Sequence, residues 1–515
     1  MRRLYLFACK SKFFCLALVI SATSLCLTNP LYGFCQNGQI QTNIIVLPAT
    51  QPATDSTGLN RNAEHFENKE DLISADSAVQ TNLLVAEIVV KGNKHTSESI
   101  ILREIPFHQG DTLDYTEVTN LINVSCQNIL KTSLFHTATM VYETGEGKIA
   151  FTVYVTERWY WWVWPLIENP DRNFNDWWQH RDLSRLSAGL HYQHENVRGK
   201  MEKLNIKALG GYRTYLETSY EWPYINRQKS FGIGVFASYT SQHEVNYATV
   251  DNKQVYYEGN EIMFQSIVMA AYLKYRPGTH LTHSLTLQYW QPRFNDSIRF
   301  LNPEYLFTMA NPQLTGVIYL IKADYRDNRY YPLNGFYAET EAGYFADLNQ
   351  PYNQRSIRTS LRGYLPLANQ LYAASEFTFR FTGPHVKPYY LQNALGFGRE
   401  FIRGYEYLVI EAPHYWIFKS HLKYALVPLK TIRVPFIRSE KFNTIPLSIY
   451  AGPHFDAGKA FPELDNTTNP LQGKLLMGYG AGIDLVTYYD KVFRFEYTFR
   501  RNGQSGLFIH FMAMI

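Results

Sequence analysis

The residues with the clearest chemistry are charged rather than nucleophilic. Arg403 lies in the run Gly396-Phe397-Gly398-Arg399-Glu400-Phe401-Ile402-Arg403-Gly404-Tyr405, and Asp456 lies in Phe455-Asp456-Ala457-Gly458. A guanidinium confined beside a carboxylate forms two parallel hydrogen bonds, which fix position as well as charge. Taken alone, Arg403 reads more readily as a solvated loop arginine. A second charged run, Asp324-Tyr325-Arg326-Asp327-Asn328, precedes Tyr331-Pro332-Leu333-Asn334-Gly335-Phe336-Tyr337. There Pro332 and Gly335 have the backbone preferences of a tight turn between two strands. Catalytic patterns are missing. No G-x-S-x-G elbow occurs, and Gly503-Gln504-Ser505-Gly506 has the wrong spacing for one. Nor is there an H-E-x-x-H, a P-loop or a G-x-G-x-x-G before a helix. The 15 His are scattered; His191 with His194, and His414 with His421, fall in alternating strand contexts and read as polar lumen or interface residues. The expectation is a non-enzyme with no cofactor and no metal site.

Charges of this kind need walls to confine them, and residues 158–515 supply a pattern for walls. In Leu371 to Thr382, Leu371, Ala373, Phe377, Phe379 and Phe381 alternate with Glu376, Thr378 and Arg380. In Phe493 to Arg500, Phe493, Phe495, Tyr497 and Phe499 alternate with Arg494, Glu496, Thr498 and Arg500. One face then meets water and the other an apolar medium. Sixteen candidate strands begin near residues 158, 185, 200, 213, 229, 260, 281, 313, 335, 353, 370, 411, 445, 475, 491 and 505. An even number suits a closed antiparallel transmembrane barrel, which leaves no edge facing lipid. Trp159, Trp161, Trp162, Trp164, Trp177 and Trp178 cluster where the pattern begins, a density that suits a membrane-interface belt. A soluble sandwich or lipocalin-like barrel, with the indoles in its core, is the rival.

Composition agrees with a barrel. The 515 residues are 16% aromatic yet only 18% charged, and mean hydropathy is −0.27. That is too polar for a helical membrane protein and too aromatic for an ordinary soluble enzyme. A net charge of +4 implies no nucleic-acid partner. Residues 1–33 read as an export signal: Arg2, Arg3, Lys10 and Lys12 precede an apolar stretch from Phe13 to Leu27. A signal anchor is the alternative, although the stretch is short for a spanning helix. Residues 34–82, rich in Asn, Thr, Gln, Ser and Ala, read as a disordered linker. Four of the 5 Cys lie in or beside the signal, leaving Cys126 in the folded body and no disulfide framework.

Residues 83–157 change pattern again. Ala86 to Lys91 reads as a strand ended by a Gly92-Asn93 turn. Thr96 or Ser97 can cap a helix carrying Ile100, Ile101 and Ile105. Tyr115 to Leu130 suits an amphipathic helix, and two strands, Thr137 to Glu143 and Lys148 to Thr156, follow. The predicted order is β-α-α-β-β.

These stretches resemble known families. "IVVKGNKHTSESIILREIPFHQGD", "LFHTATM" and "FTVYVTER" look like a polypeptide-transport-associated (POTRA) domain. The Asp324, Arg326, Asp327, Pro332 and Gly335 motif, the Ile402-Arg403-Gly404-Tyr405 motif and the Asp456 motif resemble the barrel of the BamA/TamA superfamily, the bacterial surface antigens. The resemblance implies an all-β outer-membrane barrel of about 16 antiparallel strands behind one periplasmic POTRA domain. It implies that the loop before the twelfth strand folds into the lumen and that Arg403 pairs with Asp456 as a latch. It also implies insertion or translocation of other outer-membrane proteins. A weak seam between first and last strands, and client docking on a POTRA sheet edge, would serve that activity. Its partners would be outer-membrane lipid and unfolded clients, with periplasmic chaperones or accessory lipoproteins as further candidates. Three departures stand out. Lys423 occupies a place where members often carry an acid, which argues against a larger arginine–acid cluster. The chain ends in Ile515, not an aromatic residue, and one POTRA domain is few. A plugged pore or secretion channel, or a structural surface barrel, are the other readings, since fold does not settle function.

Overall fold

The computed structural model describes residues 82–168, 186–259, 261–306, 311–384, 388–397, 400–433, 444–462, 469–487 and 491–511. The expected export signal, the linker up to residue 81, Trp177, Trp178, Gly398, Arg399 and Ile515 lie outside the described residues.

The chain first builds an α/β layer. Strands β1 (Asn82–Lys91), β2 (Thr112–Asp114), β3 (Phe135–Gly145) and β4 (Lys148–Glu157) form a sheet in the order β2-β1-β4-β3. β1 runs parallel to β4, while β3 and β4 are antiparallel. The period-two pattern of β4 buries Ile149, Phe151, Val153 and Val155 against Ile100 and Ile101 of α1 (Glu98–Leu102) and Ile122 and Ile129 of α2 (Val118–Lys131). Two features differ from the predicted order. The short β2 adds a strand between the helices, giving β-α-β-α-β-β. The first helix is a single turn, so Ile105 packs into the core from beyond its end. Ser97 stands at its N-cap without a side-chain cap bond, and Thr96 is committed elsewhere: its Oγ1 is 2.8 Å from the Tyr160 hydroxyl and accepts from Asn196 Nδ2 at 2.9 Å.

The remainder forms one sheet of sixteen strands. In chain order its first strands are β5 (Trp161–Glu168), β6 (Ser187–Val197), β7 (Glu202–Gly211), β8 (Arg213–Trp222) and β9 (Phe231–Gln242). A hairpin, β10 (Glu244–Val250) and β11 (Lys253–Glu258), leaves the wall there. The wall resumes with β12 (Phe264–Tyr275), β13 (Leu281–Phe294), β14 (Leu314–Asp324), β15 (Gly335–Asp347), β16 (Asn353–Ala368) and β17 (Leu371–Gly383). Two short strands, β18 (Asn393–Leu395) and β19 (Ile410–Glu411), pair with each other inside a long loop. The last wall strands are β20 (His414–Arg433), β21 (Thr444–Phe461), β22 (Leu476–Thr487), β23 (Lys491–Arg500) and β24 (Ser505–Phe511).

Each wall strand pairs with its sequence neighbour, so the sheet runs from β5 to β24 in chain order. The sixteen strands begin within a few residues of the predicted positions. Alternation sets the two faces as expected: on β23, Phe495, Tyr497 and Phe499 are exposed outward, while Arg494, Glu496 and Thr498 are buried inside. On β17, Phe377 and Phe381 face out and Glu376 and Thr378 face in. Among the described residues no helix is long and apolar enough to cross a membrane.

The two sheet ends come together without a ladder. Among the described residues no backbone hydrogen bond joins β5 to β24. β5 instead lies close to the last hairpin: Lys491 Nζ, at the start of β23, is 5.4 Å from the ring centroid of Trp164. The wall therefore curls back until its first strand lies beside the last hairpin, and among the described residues its hydrogen-bonded circuit has a seam.

The two rims are built differently. At one, the hairpin β10–β11 turns over the bore with Asp251 and Asn252 in the left-handed region, as a two-residue hairpin turn requires. The buried Asn252 donates from its backbone N–H to Asn469 Oδ1 (3.0 Å) and from Nδ2 to the Val409 carbonyl (3.1 Å). Asn469 Nδ2 returns a bond to the Thr249 carbonyl at 3.1 Å. Val245, Met263, Ile298 and Tyr305 pack beneath, so the hairpin forms a lid.

The α/β layer docks on the opposite rim. Arg276, at the end of β12, donates from Nη1 and Nη2 to both oxygens of Glu104 at 2.8 and 2.9 Å. Arg103 donates to the carbonyls of Lys229 (2.7 Å) and Arg276 (3.0 Å), and Lys229 Nζ donates to the Ser99 carbonyl at 2.7 Å. Burial opposes the charged form of Glu157, but the backbone N–H groups of Thr96 (2.7 Å) and His95 (3.0 Å) outweigh it and hold its carboxyl below the usual range.

Candidate functional site

The long loop between β17 and β20 descends into the bore. Its base is tied by the β18–β19 pair, and Ile402 and Tyr405 pack with Leu395, Ile410, Ile417 and Leu476. The wall makes room for it: a Cβ added to Gly478 would stand 1.9 Å from the Arg403 carbonyl oxygen, and one on Gly458 2.7 Å from Ile402 Cδ1. Only glycine lets the loop approach β21 and β22 this closely.

The loop carries Arg403 to Asp456 on β21, the pairing that the resemblance implied. Arg403 Nε donates to both Asp456 oxygens at 3.0 Å, Nη2 donates to Oδ1 at 2.5 Å, and the Arg403 backbone N–H donates to Oδ2 at 3.0 Å. Nη2 also donates to the Ser420 carbonyl at 3.1 Å. The guanidinium is 2% exposed and the carboxylate 0%, so neither has water to fall back on. Gly404 (φ +91°) and Tyr405 follow, the latter stacking under the Arg500 guanidinium 5.2 Å from its ring centroid.

The cluster is larger than predicted. Glu496 on β23 accepts from Arg403 Nη1 at 3.1 Å and lies 3.8 Å from Arg494 Nε. Arg494 in turn holds Asp484 on β22 with bonds of 2.6 and 2.8 Å. Lys423 does face the interior, the placement in which it would repel Arg403, yet it does not limit the cluster. Its Nζ sits 4.2 Å from the Tyr331 ring centroid, and Asp484 and Glu496 supply the carboxylates that balance the added cations. A second anchor reaches the loop from the other side: Arg358 on β16 bridges Glu400 (2.5 Å) and Glu339 (2.9 Å) beside a cavity of about 270 Å³.

The strand-turn motif joins this network. Arg326 grips Asp324 with two bonds of 2.8 Å, and Asp327 caps the turn by accepting from the N–H groups of Asn328 (2.8 Å) and Leu333 (3.1 Å). Gly335 has φ +99°, and a Cβ there would stand 2.1 Å from the Tyr325 carbonyl oxygen. Pro332 closes the turn just after Tyr331, whose hydroxyl donates to Asp484 Oδ2 at 2.7 Å. A polar spine thus runs from the loop tip at Arg403 through Glu496, Arg494 and Asp484 to a turn on the rim that carries the α/β layer, where the Tyr330 hydroxyl reaches Ser133 Oγ at 3.4 Å. Tyr331→Phe deletes one charge-assisted bond from that spine and is expected to cost about 1–3 kcal/mol, read as a lower unfolding temperature at unchanged expression.

The sequence motifs found Arg403, Asp456 and the turn but missed Glu496, Asp484, Arg494 and Glu400 as their partners. The signal was present in β23, where Arg494 and Glu496, on the inward face, alternate with four aromatic residues on the other. The loop also leans on the last strand: Phe401 stacks on His510 at 5.8 Å, and Tyr407 lies 5.6 Å from Phe508. Chemically the site is a clamp. Every described contact of Arg403 joins a loop to a wall, and no group of three or more potential metal ligands occurs among the described residues.

Known proteins bear on this architecture in part. Residues 83–158 match the POTRA family model, described as surface antigen variable number repeat. No curated protein sequence matches the chain. Among solved structures, the chain is similar to BamA from Haemophilus ducreyi lacking POTRA domains 1–3, at 15% identity and TM-score 0.47, over 83% of each chain. It is similar to CdiB from Escherichia coli at 10% identity and TM-score 0.45, over 86% of this chain and 92% of that one. CdiB from Acinetobacter baumannii gives 10% identity and TM-score 0.47, over 84% and 73%. The family match and the β2-β1-β4-β3 sheet together make the N-terminal module a POTRA domain, set directly ahead of a sixteen-stranded antiparallel barrel.

Proposed function

We propose that this protein lies in a bacterial outer membrane, with its POTRA domain in the periplasm, and assists the insertion or translocation of other outer-membrane proteins. The observation that carries the reading is the seam. A barrel wall whose first and last strands share no ladder among the described residues offers strand edges at membrane depth, where an unpaired backbone is costly. A client strand satisfies such an edge by pairing with it.

Two further features support it. Among the described residues no strand pairs with the outer edge of β3, and Val141 and Tyr142 are exposed beside it, so an extended segment can dock there before reaching the barrel. The Arg403–Asp456 latch holds the loop in the lumen, so passage goes by the wall and not through an open bore. The mechanism needs neither nucleotide nor cofactor.

Purified protein in liposomes is expected to accelerate folding of an unfolded outer-membrane barrel protein, scored by heat-modifiable gel migration. An unchanged rate refutes the insertase reading. The filled bore favours a secretion channel as second reading: if deletion of residues 396–408 opens a steady conductance in planar bilayers while the intact protein leaves client folding untouched, that reading replaces the first.

A further inference from the structure

Backbone phase in β5 determines which of its N–H groups face the seam. The Tyr160 carbonyl accepts from the Glu195 N–H at 2.8 Å, which makes Tyr160 and Glu195 a hydrogen-bonded pair. The register then runs without a bulge from Trp161↔His194 to Glu168↔Ser187. Hydrogen-bonded and non-bonded pairs alternate along an antiparallel ladder. Trp162, Trp164, Leu166 and Glu168 therefore turn their backbone groups toward β6. Trp161, Val163, Pro165 and Ile167 turn theirs away from β6, toward the seam.

The same reasoning fixes β24. Arg500 donates its N–H to the Gln504 carbonyl at 2.7 Å, and the register continues Phe499↔Ser505 to Phe493↔Phe511. Gly506, Phe508 and His510 thus bond to β23, while Ser505, Leu507, Ile509 and Phe511 face the seam. The seam edge of β24 has all its donors. That of β5 lacks one, because Pro165 has no N–H, and the proline Cδ stands where a hydrogen would meet the approaching strand. Proline in a sheet belongs on an edge whose N–H side is unpaired, which is where this one sits.

We propose that Pro165 is a built-in stop: it interrupts the donor row of β5 halfway along and keeps β5 and β24 from zipping into a continuous ladder. A strand that meets the seam edge of β5 can pair without a break only along Trp161–Val163, nearest the POTRA domain, and the far half of the β24 edge stays available to another strand. This rests on the seam being the working edge of the proposed function.

The test is single-residue amide exchange on the full-length protein in lipid nanodiscs. In the wild type, the N–H groups of Leu507 and Ile509 exchange much faster than those of Gly506 and Phe508. Pro165→Val restores the missing donor with a residue suited to strands. It is expected to slow the seam-facing amides by about tenfold or more, the factor that one added hydrogen bond supplies, without altering Gly506 and Phe508. Wild-type seam amides as protected as their β23-facing neighbours overturn the proposal, and so does a Pro165→Val protein whose seam amides stay fast. Slower exchange accompanied by slower client insertion in liposomes supports both the stop and its use. Slower exchange with unchanged insertion keeps the stop and removes the insertase reading instead.

Discussion

Arg403→Glu is expected to abolish the folded, fast-migrating form of the protein at temperatures where the wild type keeps it. The substitution replaces a fully buried cation by an anion facing Asp456 and Glu496, both of which are at most 1% exposed. Breaking a buried ion pair by removing one partner costs about 3–5 kcal/mol, and here the new charge adds repulsion to two stranded carboxylates. Asp456→Lys is expected to act in the same direction, setting an ammonium against Arg403. The double swap restores an attraction of opposite charges across the loop and strand but leaves the introduced carboxylate beside Glu496, so rescue is partial. Adding Glu496→Gln to the double swap is expected to extend the rescue. Unchanged heat-modifiable migration for both single variants would sink the latch.

Glu104→Lys is expected to release the POTRA domain from the barrel rim. Glu104 is 1% exposed on its side chain and takes two bonds from Arg276, while Arg103 lies 3.2 Å away, so a lysine there places three cations together. The POTRA core, with Ile101, Ile129, Ile149 and Phe151 far from water, survives the change, and so does the barrel wall. The loss should appear as interdomain freedom: rapid proteolytic cleavage between residues 157 and 161, with both fragments resistant afterwards. Glu104→Lys combined with Arg276→Glu is expected to restore protection. If the single variant is cut no faster than wild type, the clamp does not hold the domain.

The barrel was legible in the sequence because alternation is a strictly local signal. Each strand announces its own faces, and Phe493 to Arg500 states both in eight residues. The Arg403–Asp456 pair came from resemblance, since nothing local links a loop arginine to an aspartate some fifty residues on. Glu496 was visible only as part of the wet side of its strand; that it and Asp484 meet Arg403 and Arg494 depends on how neighbouring strands are staggered in the wall. Lys423 misled because its charge was weighed against Arg403 alone. In the fold it rests on Tyr331, a residue the sequence assigned only to a turn. A weak seam was expected from the resemblance, but the part of Pro165 in it was hidden: a proline looks harmless in a strand until the register shows which way its nitrogen points.

The lid formed by the β10–β11 hairpin bears on the cell as a whole. A wall of sixteen strands encloses a bore of the size that porins leave open to solutes, and a membrane holding many such open pores would lose its barrier to small solutes. The paired asparagines Asn252 and Asn469 close that bore by side-chain amide and backbone bonds, with no charge in the pair to respond to salt or pH. In the proposed role, permeability is thereby uncoupled from events at the wall, and a barrel that works sideways would leave its membrane sealed.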